Sequence, residues 1–159
     1  MISLKINKKL LAICLAIPLA VGGLSALLTM GSMDEFASLD QPPLSPPGWL
    51  FPIVWTILFT LMGISLYLVL TSDAPQTTLT PAIVVFAVQL VFNFFWSIWF
   101  FNFGWYLFAF FWLLALWVLI IVNTVLFYRI RKSAGYLMIP YLLWVTFAAY
   151  LNLAIAMLN

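Results

Sequence analysis

The residues of this chain that are best suited to chemistry are uncharged amides and tryptophans. Between Asp73 and Arg129 no side chain carries a charge, and the whole sequence has one cysteine and no histidine. The sequence therefore predicts neither a nucleophile–base pair of the conventional kind nor a Cys/His metal site. Hydrogen bonding by amides and stacking by aromatic rings remain.

Polar, aromatic and small residues recur every four positions in three apolar segments, which places each set on one face of a helix. The sets are Gln89–Asn93–Ser97, Trp144–Ala148–Asn152 and Trp55–Phe59–Gly63. An amide in an apolar segment has to turn inward and find a partner, because leaving it unpaired is costly. Two interpretations stay open: the amides join helices to one another, or they line a ligand cavity. Spacing alone favours the first.

The elements that hold these residues are predicted to be transmembrane helices. The sequence is 67% hydrophobic and only 6% charged, and its mean hydropathy is +1.20. Such a chain is an integral membrane protein, and a helix of about 20 apolar residues crosses about 30 Å of hydrocarbon. We predict an all-α membrane protein, a five-transmembrane-helix bundle that forms one domain over 1–159. The predicted spans are 10–30, 47–70, 81–103, 105–128 and 136–158.

Depth along these spans separates two groups of tryptophans. With a rise of 1.5 Å per residue, Trp55 lies about 12 Å below the outer surface, and Gln89 and Trp144 about 12 Å above the inner one. Asn93 lies about 18 Å above the inner surface, so four residues of three spans converge on the middle of the bilayer. A second group at the outer ends of the spans is predicted to form an interfacial aromatic belt. Its members are Trp49, Trp99 and Trp105.

The positive residues predict the orientation of the chain. They cluster before the first span and between the fourth and fifth spans, as Lys5, Lys8, Lys9, Arg129, Arg131 and Lys132. The positive-inside rule then places the N-terminus in the cytoplasm and the C-terminus outside. Because orientation accounts for both clusters, no nucleic-acid binding is predicted. The N-terminal segment resembles a secretory signal, but its apolar run continues to Met30, and we expect the span to be retained. Its small-residue face, Pro18–Gly22–Ala26, is expected to pack on another helix or on a second subunit.

Three motifs, in order along the chain, resemble those of the TspO/MBR family, the tryptophan-rich sensory proteins related to the mitochondrial translocator protein. The resemblance covers nearly the whole chain, with five spans in the expected order. The motifs are PPLSPPGWLFPIVWTILF (42–59), QLVFNFFWSIWF (89–100) and PYLLWVTFAAYLN (140–152).

This resemblance implies a homodimer in a bacterial cell membrane, with a cavity under the first outer loop. It implies no obligatory cofactor. The expected ligand is protoporphyrin IX or a related tetrapyrrole, and some family members bind sterols or synthetic benzodiazepine-type ligands. Because of the resemblance, we expect the mid-depth residues to line a ligand pocket rather than only to join helices. The residues it implies for ligand binding are Trp55, Phe59, Gln89, Asn93, Trp144, Phe147 and Ala148, and those of the lid are Pro42, Pro43, Pro46, Pro47 and Trp49.

Two functional hypotheses follow from the resemblance. In the first, the protein is a sensor, regulator or carrier of a tetrapyrrole. In the alternative, it degrades porphyrin in light and oxygen, with Trp55 and Trp144 as the catalytic residues. The segment LNLAIAMLN after Tyr150 has no basic residue, which predicts against specific cholesterol recognition. The lack of histidine predicts that the protein recognises the porphyrin ring more strongly than its iron.

Overall fold

The computed structural model describes residues 5–159, and every regular element in that range is helical. Five helical segments are long and apolar enough to cross a membrane. This confirms the predicted all-α membrane protein with five spans. The elements in chain order are α1 (Lys8–Thr29), a 3₁₀ turn (Met30–Ser32), α2 (Met33–Ala37), α3 (Leu50–Leu70), α4 (Gln76–Ser97), a π-helical turn (Ile98–Asn102), α5 (Tyr106–Ile130) and α6 (Lys132–Leu158).

Three helices begin three or more residues away from the starts that hydropathy predicts. Hydropathy predicts the second span from position 47, but the Leu50 amide donates to the Pro47 carbonyl in a turn (3.0 Å), and α3 begins only at Leu50. α4 begins at Gln76, five residues ahead of the prediction, and contains Pro81. Pro81 is the sixth residue of this helix, just beyond its first turn, so its missing N–H removes one intrahelical hydrogen bond, the one to the Thr77 carbonyl. α6 begins at Lys132, four residues before the predicted start. Its first turn is polar, so a prediction based on hydropathy does not include that turn in the apolar span.

Glycines allow α1 to approach α3 closely. A Cβ atom at Gly63 would lie 2.7 Å from the carbonyl oxygen of Cys14 in α1, and one at Gly22 would collide with the ring of Phe59. Small residues permit this kind of close packing between membrane helices. The small-residue face of α1 therefore packs through Gly22 on α3 of the same chain.

α6 is tied to both of the helices beside it. On one side the Ser65 hydroxyl of α3 donates to the carbonyl of Ala134 (2.7 Å), and both residues are buried. On the other side the indole N–H of Trp117 in α5 donates to the Thr146 hydroxyl (2.9 Å). Hydrogen bonds between helices are an important source of cohesion in a membrane, where apolar contacts with lipid are as favourable as contacts with protein.

The positive residues gather at one end of the bundle. The Asn7 amide, ahead of α1, donates to the Tyr67 hydroxyl of α3 (3.0 Å). The Arg131 guanidinium, between α5 and α6, donates to the carbonyl of Leu68 (3.2 Å). The N-terminal segment and the α5–α6 connection therefore lie together, and the first loop lies at the opposite end with Asn159. The prediction that the positive end faces the cytoplasm remains a prediction.

Candidate functional site

Aromatic rings of α3 and α6 meet in two cross-helix pairs. Phe51 and Trp55 are four residues apart on α3, and Tyr141 and Trp144 are three apart on α6, so each pair shares a helix face. The centroids of Phe51 and Trp144 are 5.9 Å apart, and those of Trp55 and Tyr141 are 6.3 Å apart, both edge to face. Phe59 stacks on Trp55 at 5.5 Å. We call these five residues the aromatic ladder. It brings Trp55 and Trp144 to the same helix interface.

Trp144, at one end of the ladder, has a hydrogen-bond donor that is not used. Its indole nitrogen is buried and has no hydrogen-bond partner among residues 5–159. The Phe147 ring lies 5.6 Å from the Trp144 ring, and the Tyr150 ring follows at 6.2 Å from Phe147. The aromatic rings of α6 thus extend from the middle of the bundle toward the first loop. The unpaired indole N–H of Trp144 lies between these two ends.

The two buried amides of α4 pair with a tyrosine. The Tyr141 hydroxyl donates to Oε1 of Gln89 (2.6 Å) and accepts from Nδ2 of Asn93 (2.8 Å). All three side chains are buried, with at most 3% of their surface exposed. The Gln89 amide nitrogen also contacts the Met62 sulfur (3.8 Å). Gln89 and Asn93 therefore join α4 to α6 in this structure, and the Tyr141 ring connects them to the ladder.

Tyr141 is the site residue that the sequence analysis missed. It lies three residues before Trp144 and seven before Ala148, on the face of α6 that already held the polar set. Extending that set by one turn toward the N-terminus finds Tyr141. The signal was weak, because tyrosine is also a common interfacial anchor and its hydroxyl partner cannot be read from spacing.

Asn152 continues the polar face of α6 beyond the ladder. Its Oδ1 accepts from the Trp96 indole (3.0 Å), and its Nδ2 donates to the carbonyl of Tyr106 (2.8 Å). One amide thereby ties α6 to both α4 and α5. Ala148 lies one turn away and is buried, so the predicted set on this helix faces the bundle rather than lipid.

The first loop is fastened to the end of α6. The Tyr150 hydroxyl donates to the Pro43 carbonyl (2.9 Å), and Asn159 exchanges two hydrogen bonds of 3.1 Å with the backbone of Asp40. Pro42 is buried, and its carbonyl closes a turn with Ser45. Of the remaining predicted lid residues, Pro46 is half-buried and three are exposed: Pro43, Pro47 and Trp49. Trp49 is 68% exposed, as an interfacial anchor would be.

The ladder and the loop together offer apolar ring faces, one free donor and a polar rim. Such a combination suits a flat, apolar ligand, since pockets for small molecules are mostly apolar with few polar groups that fix orientation. Phe59 contributes less directly, because its ring is pressed against Gly22 of α1 and is only 5% exposed.

Comparison with known proteins places this chain in a family. The model of the TspO/MBR family matches residues 14–158. The tryptophan-rich protein TspO of Chlorobaculum tepidum is 39% identical over 156 residues, which is 96% of this chain and 99% of the relative. Protein CrtK of Rhodobacter capsulatus is 31% identical, covering 87% and 85%. The translocator protein of Ovis aries is 32% identical, covering 74% and 70%. These matches confirm the resemblance seen in the motifs, and the chain belongs to the TspO/MBR family.

Proposed function

We propose that the protein binds a tetrapyrrole of the protoporphyrin IX type at the aromatic ladder, beneath the first loop, and acts as its sensor, regulator or carrier. The observation that carries the proposal is the buried, unpaired indole N–H of Trp144. A buried donor without an acceptor costs about 1–3 kcal/mol, so native structures rarely keep one without a reason. A carboxylate, carbonyl or unprotonated pyrrole-type nitrogen of a ligand would accept this hydrogen bond.

The ring contacts of the ladder fit a macrocycle that enters between α3 and α6. Its faces would take over the edge contacts that Phe51 and Trp55 now make with the rings of α6. Aromatic rings make offset or edge-to-face contacts worth about 0.5–1.5 kcal/mol beyond their burial, so such an exchange conserves much of the interaction. One propionate of a porphyrin would reach the Trp144 indole N–H, and the other would remain at the wet side near the first loop.

Entry of a ligand from the loop side would disturb the fastening of the loop. The hydrogen bond from Tyr150 to Pro43 and the pair between Asp40 and Asn159 lie above the ladder. Binding and loop position would then be coupled, and a ligand that favours one loop position changes its population. That coupling is what a sensor requires. The names of relatives, a tryptophan-rich sensory protein and several translocator proteins, fit a role as regulator or carrier.

A second candidate function is light- and oxygen-dependent breakdown of the bound porphyrin. The contact between the Trp55 and Tyr141 rings favours it, because two adjacent oxidisable rings can share a radical formed on one of them. In this case molecular oxygen is the oxidant, light supplies the energy, and the porphyrin ring is opened.

The binding proposal is tested by titrating the purified protein with protoporphyrin IX in darkness and following porphyrin fluorescence. We expect saturable binding that Trp144→Phe weakens about 2- to 13-fold, the value of one hydrogen bond of about 0.5–1.5 kcal/mol. Trp99→Phe is the matched control, because the Trp99 indole nitrogen is also buried and unpaired among residues 5–159 but lies in another aromatic cluster. Equal losses in both variants, or no saturable binding by the parent, would contradict the proposal.

Illumination of the same samples separates the two functions. If Trp55→Phe binds the porphyrin but no longer forms a degradation product, the enzymatic function is supported. If the parent forms the same products at the same rate as porphyrin in protein-free micelles, the protein does not catalyse the reaction.

A further inference from the structure

A separate crevice opens at the positive end of the bundle, between the last turns of α5 and the first turns of α6. Its volume is about 310 Å³. It lies in the α5–α6 interface, whereas the aromatic ladder lies between α3 and α6. Its lining includes Val125, Tyr128 and Arg129 of α5, and Gly135, Tyr136 and Ile139 of α6.

The crevice owes its shape to a close contact beside it. A Cβ atom at Gly135 would lie 2.7 Å from the Cα of Tyr128, so the two helices touch there. The rings of Tyr128 and Tyr136 flank the contact, edge to face, with centroids 5.6 Å apart. Both rings are about half exposed. Tyrosine at this level of a membrane helix typically has its ring among the acyl chains and its hydroxyl among the headgroups.

The charge at the mouth of the crevice comes from Arg129. The neighbouring Arg131 points elsewhere, because its guanidinium donates to Leu68 and to the Thr71 hydroxyl of α3 (3.2 and 3.4 Å). All six basic residues of the sequence belong to this end, and of its four acidic residues only Asp73 does. The surface around the crevice is therefore strongly positive.

We propose that this crevice binds one anionic phospholipid. The phosphate pairs with the Arg129 guanidinium, and the tyrosine hydroxyls lie at the level of the glycerol backbone. One acyl chain lies along the apolar floor between Val125 and Ile139. Basic pockets between transmembrane helices are a recognised kind of site for anionic lipid headgroups.

The apolar floor is the reason to choose a lipid rather than a soluble anion. Val125 and Ile139 offer no hydrogen bond to a free phosphate ion, but their side chains suit contact with part of an acyl chain. A larger groove of about 490 Å³ between α1, α3 and α4 lacks this combination, because its lining is apolar throughout. The smaller crevice differs from this groove because it combines a cation, Arg129, with apolar side chains.

The test compares phosphatidylglycerol with phosphatidylcholine of the same acyl chains, added to the purified full-length protein in a non-ionic detergent. Bound lipid is counted by native mass spectrometry, and thermal unfolding is followed in parallel. We expect one phosphatidylglycerol to bind more tightly than phosphatidylcholine and to raise the unfolding temperature. Arg129→Gln should weaken phosphatidylglycerol binding about fivefold, since one basic side chain near a headgroup contributes about that factor. It should weaken phosphatidylcholine binding less, because the choline ammonium of that lipid offsets the charge of its phosphate.

Lys132→Gln is the matched control, because it removes the same charge from the same end but does not line the crevice. Val125→Trp is a second variant, which fills the floor and keeps Arg129, and it should also abolish the tight phosphatidylglycerol site. Equal weakening by Arg129→Gln and Lys132→Gln would overturn the proposal in favour of diffuse attraction. Stabilisation by inorganic phosphate to the same extent, or tight binding that survives Val125→Trp, would overturn it as well.

Discussion

Replacing Tyr141 with phenylalanine isolates the polar contact at the centre of the bundle. The substitution removes one hydroxyl and keeps the ring that meets Trp55. It leaves Oε1 of Gln89 without its donor and one N–H of Asn93 without its acceptor, in side chains that are 0% and 3% exposed. No other change of this size among the described residues disconnects two buried amides at once.

The expected effect on stability follows from these two hydrogen bonds. Hydrogen bonds between membrane helices average about 0.6 kcal/mol and reach about 1.7 kcal/mol, because the unfolded chain in the membrane also finds partners. Two such bonds amount to about 1–3.5 kcal/mol. The short distances of 2.6 and 2.8 Å and the full burial of Tyr141 favour the upper half of that range.

The free energy of unfolding is measured by denaturing-detergent titration in mixed micelles, with far-ultraviolet circular dichroism as the readout. Tyr136→Phe is the control, because Tyr136 is 58% exposed and its variant should stay within about 0.5 kcal/mol of the parent. A double-mutant cycle of Tyr141→Phe with Gln89→Leu should show that the double variant loses less stability than the sum of the two.

An unchanged free energy of unfolding in Tyr141→Phe would refute this reasoning. If porphyrin binding fell in the same variant while stability did not, the amides of α4 would serve the ligand rather than the contact between α4 and α6. The two interpretations that spacing left open are thereby separated by one variant and two measurements.

Three further substitutions test other contacts. Asn123→Leu should raise the free energy of unfolding by about 1–3 kcal/mol, because both polar atoms of this buried side chain lack a partner among residues 5–159. Asn152→Leu, the same change at a paired amide, should lower it, and a loss in both variants would show that Asn123 is satisfied. Tyr150→Phe should speed amide hydrogen exchange at Ser45, whose N–H donates to the Pro42 carbonyl, about 2- to 13-fold by releasing the loop, and unchanged exchange would show that Tyr150 does not hold it.

The number of spans and their approximate positions could be predicted from the sequence, because hydropathy is a property of contiguous residues. The helix starts were less accurate, since they depend on hydrogen bonds and on polar first turns. The turn from Pro47 to Leu50 delays α3, and the polar residues from Gln76 and from Lys132 lengthen α4 and α6.

Helix periodicity also identified which residues share a face, and depth identified which lie mid-membrane. Both are local geometry, so the amino-acid sequence by itself singles out four mid-depth residues: Trp55, Gln89, Asn93 and Trp144. The motifs then supplied the family, and the matches over residues 14–158 confirm it.

Only the tertiary structure decided which faces meet. It pairs the α4 amides with Tyr141, sets Phe59 against Gly22 of α1, and leaves the Trp144 indole N–H without a partner among residues 5–159. Sequence spacing is silent on these points, because a contact between helices depends on their rotation and separation, which the packing of the whole bundle sets at once.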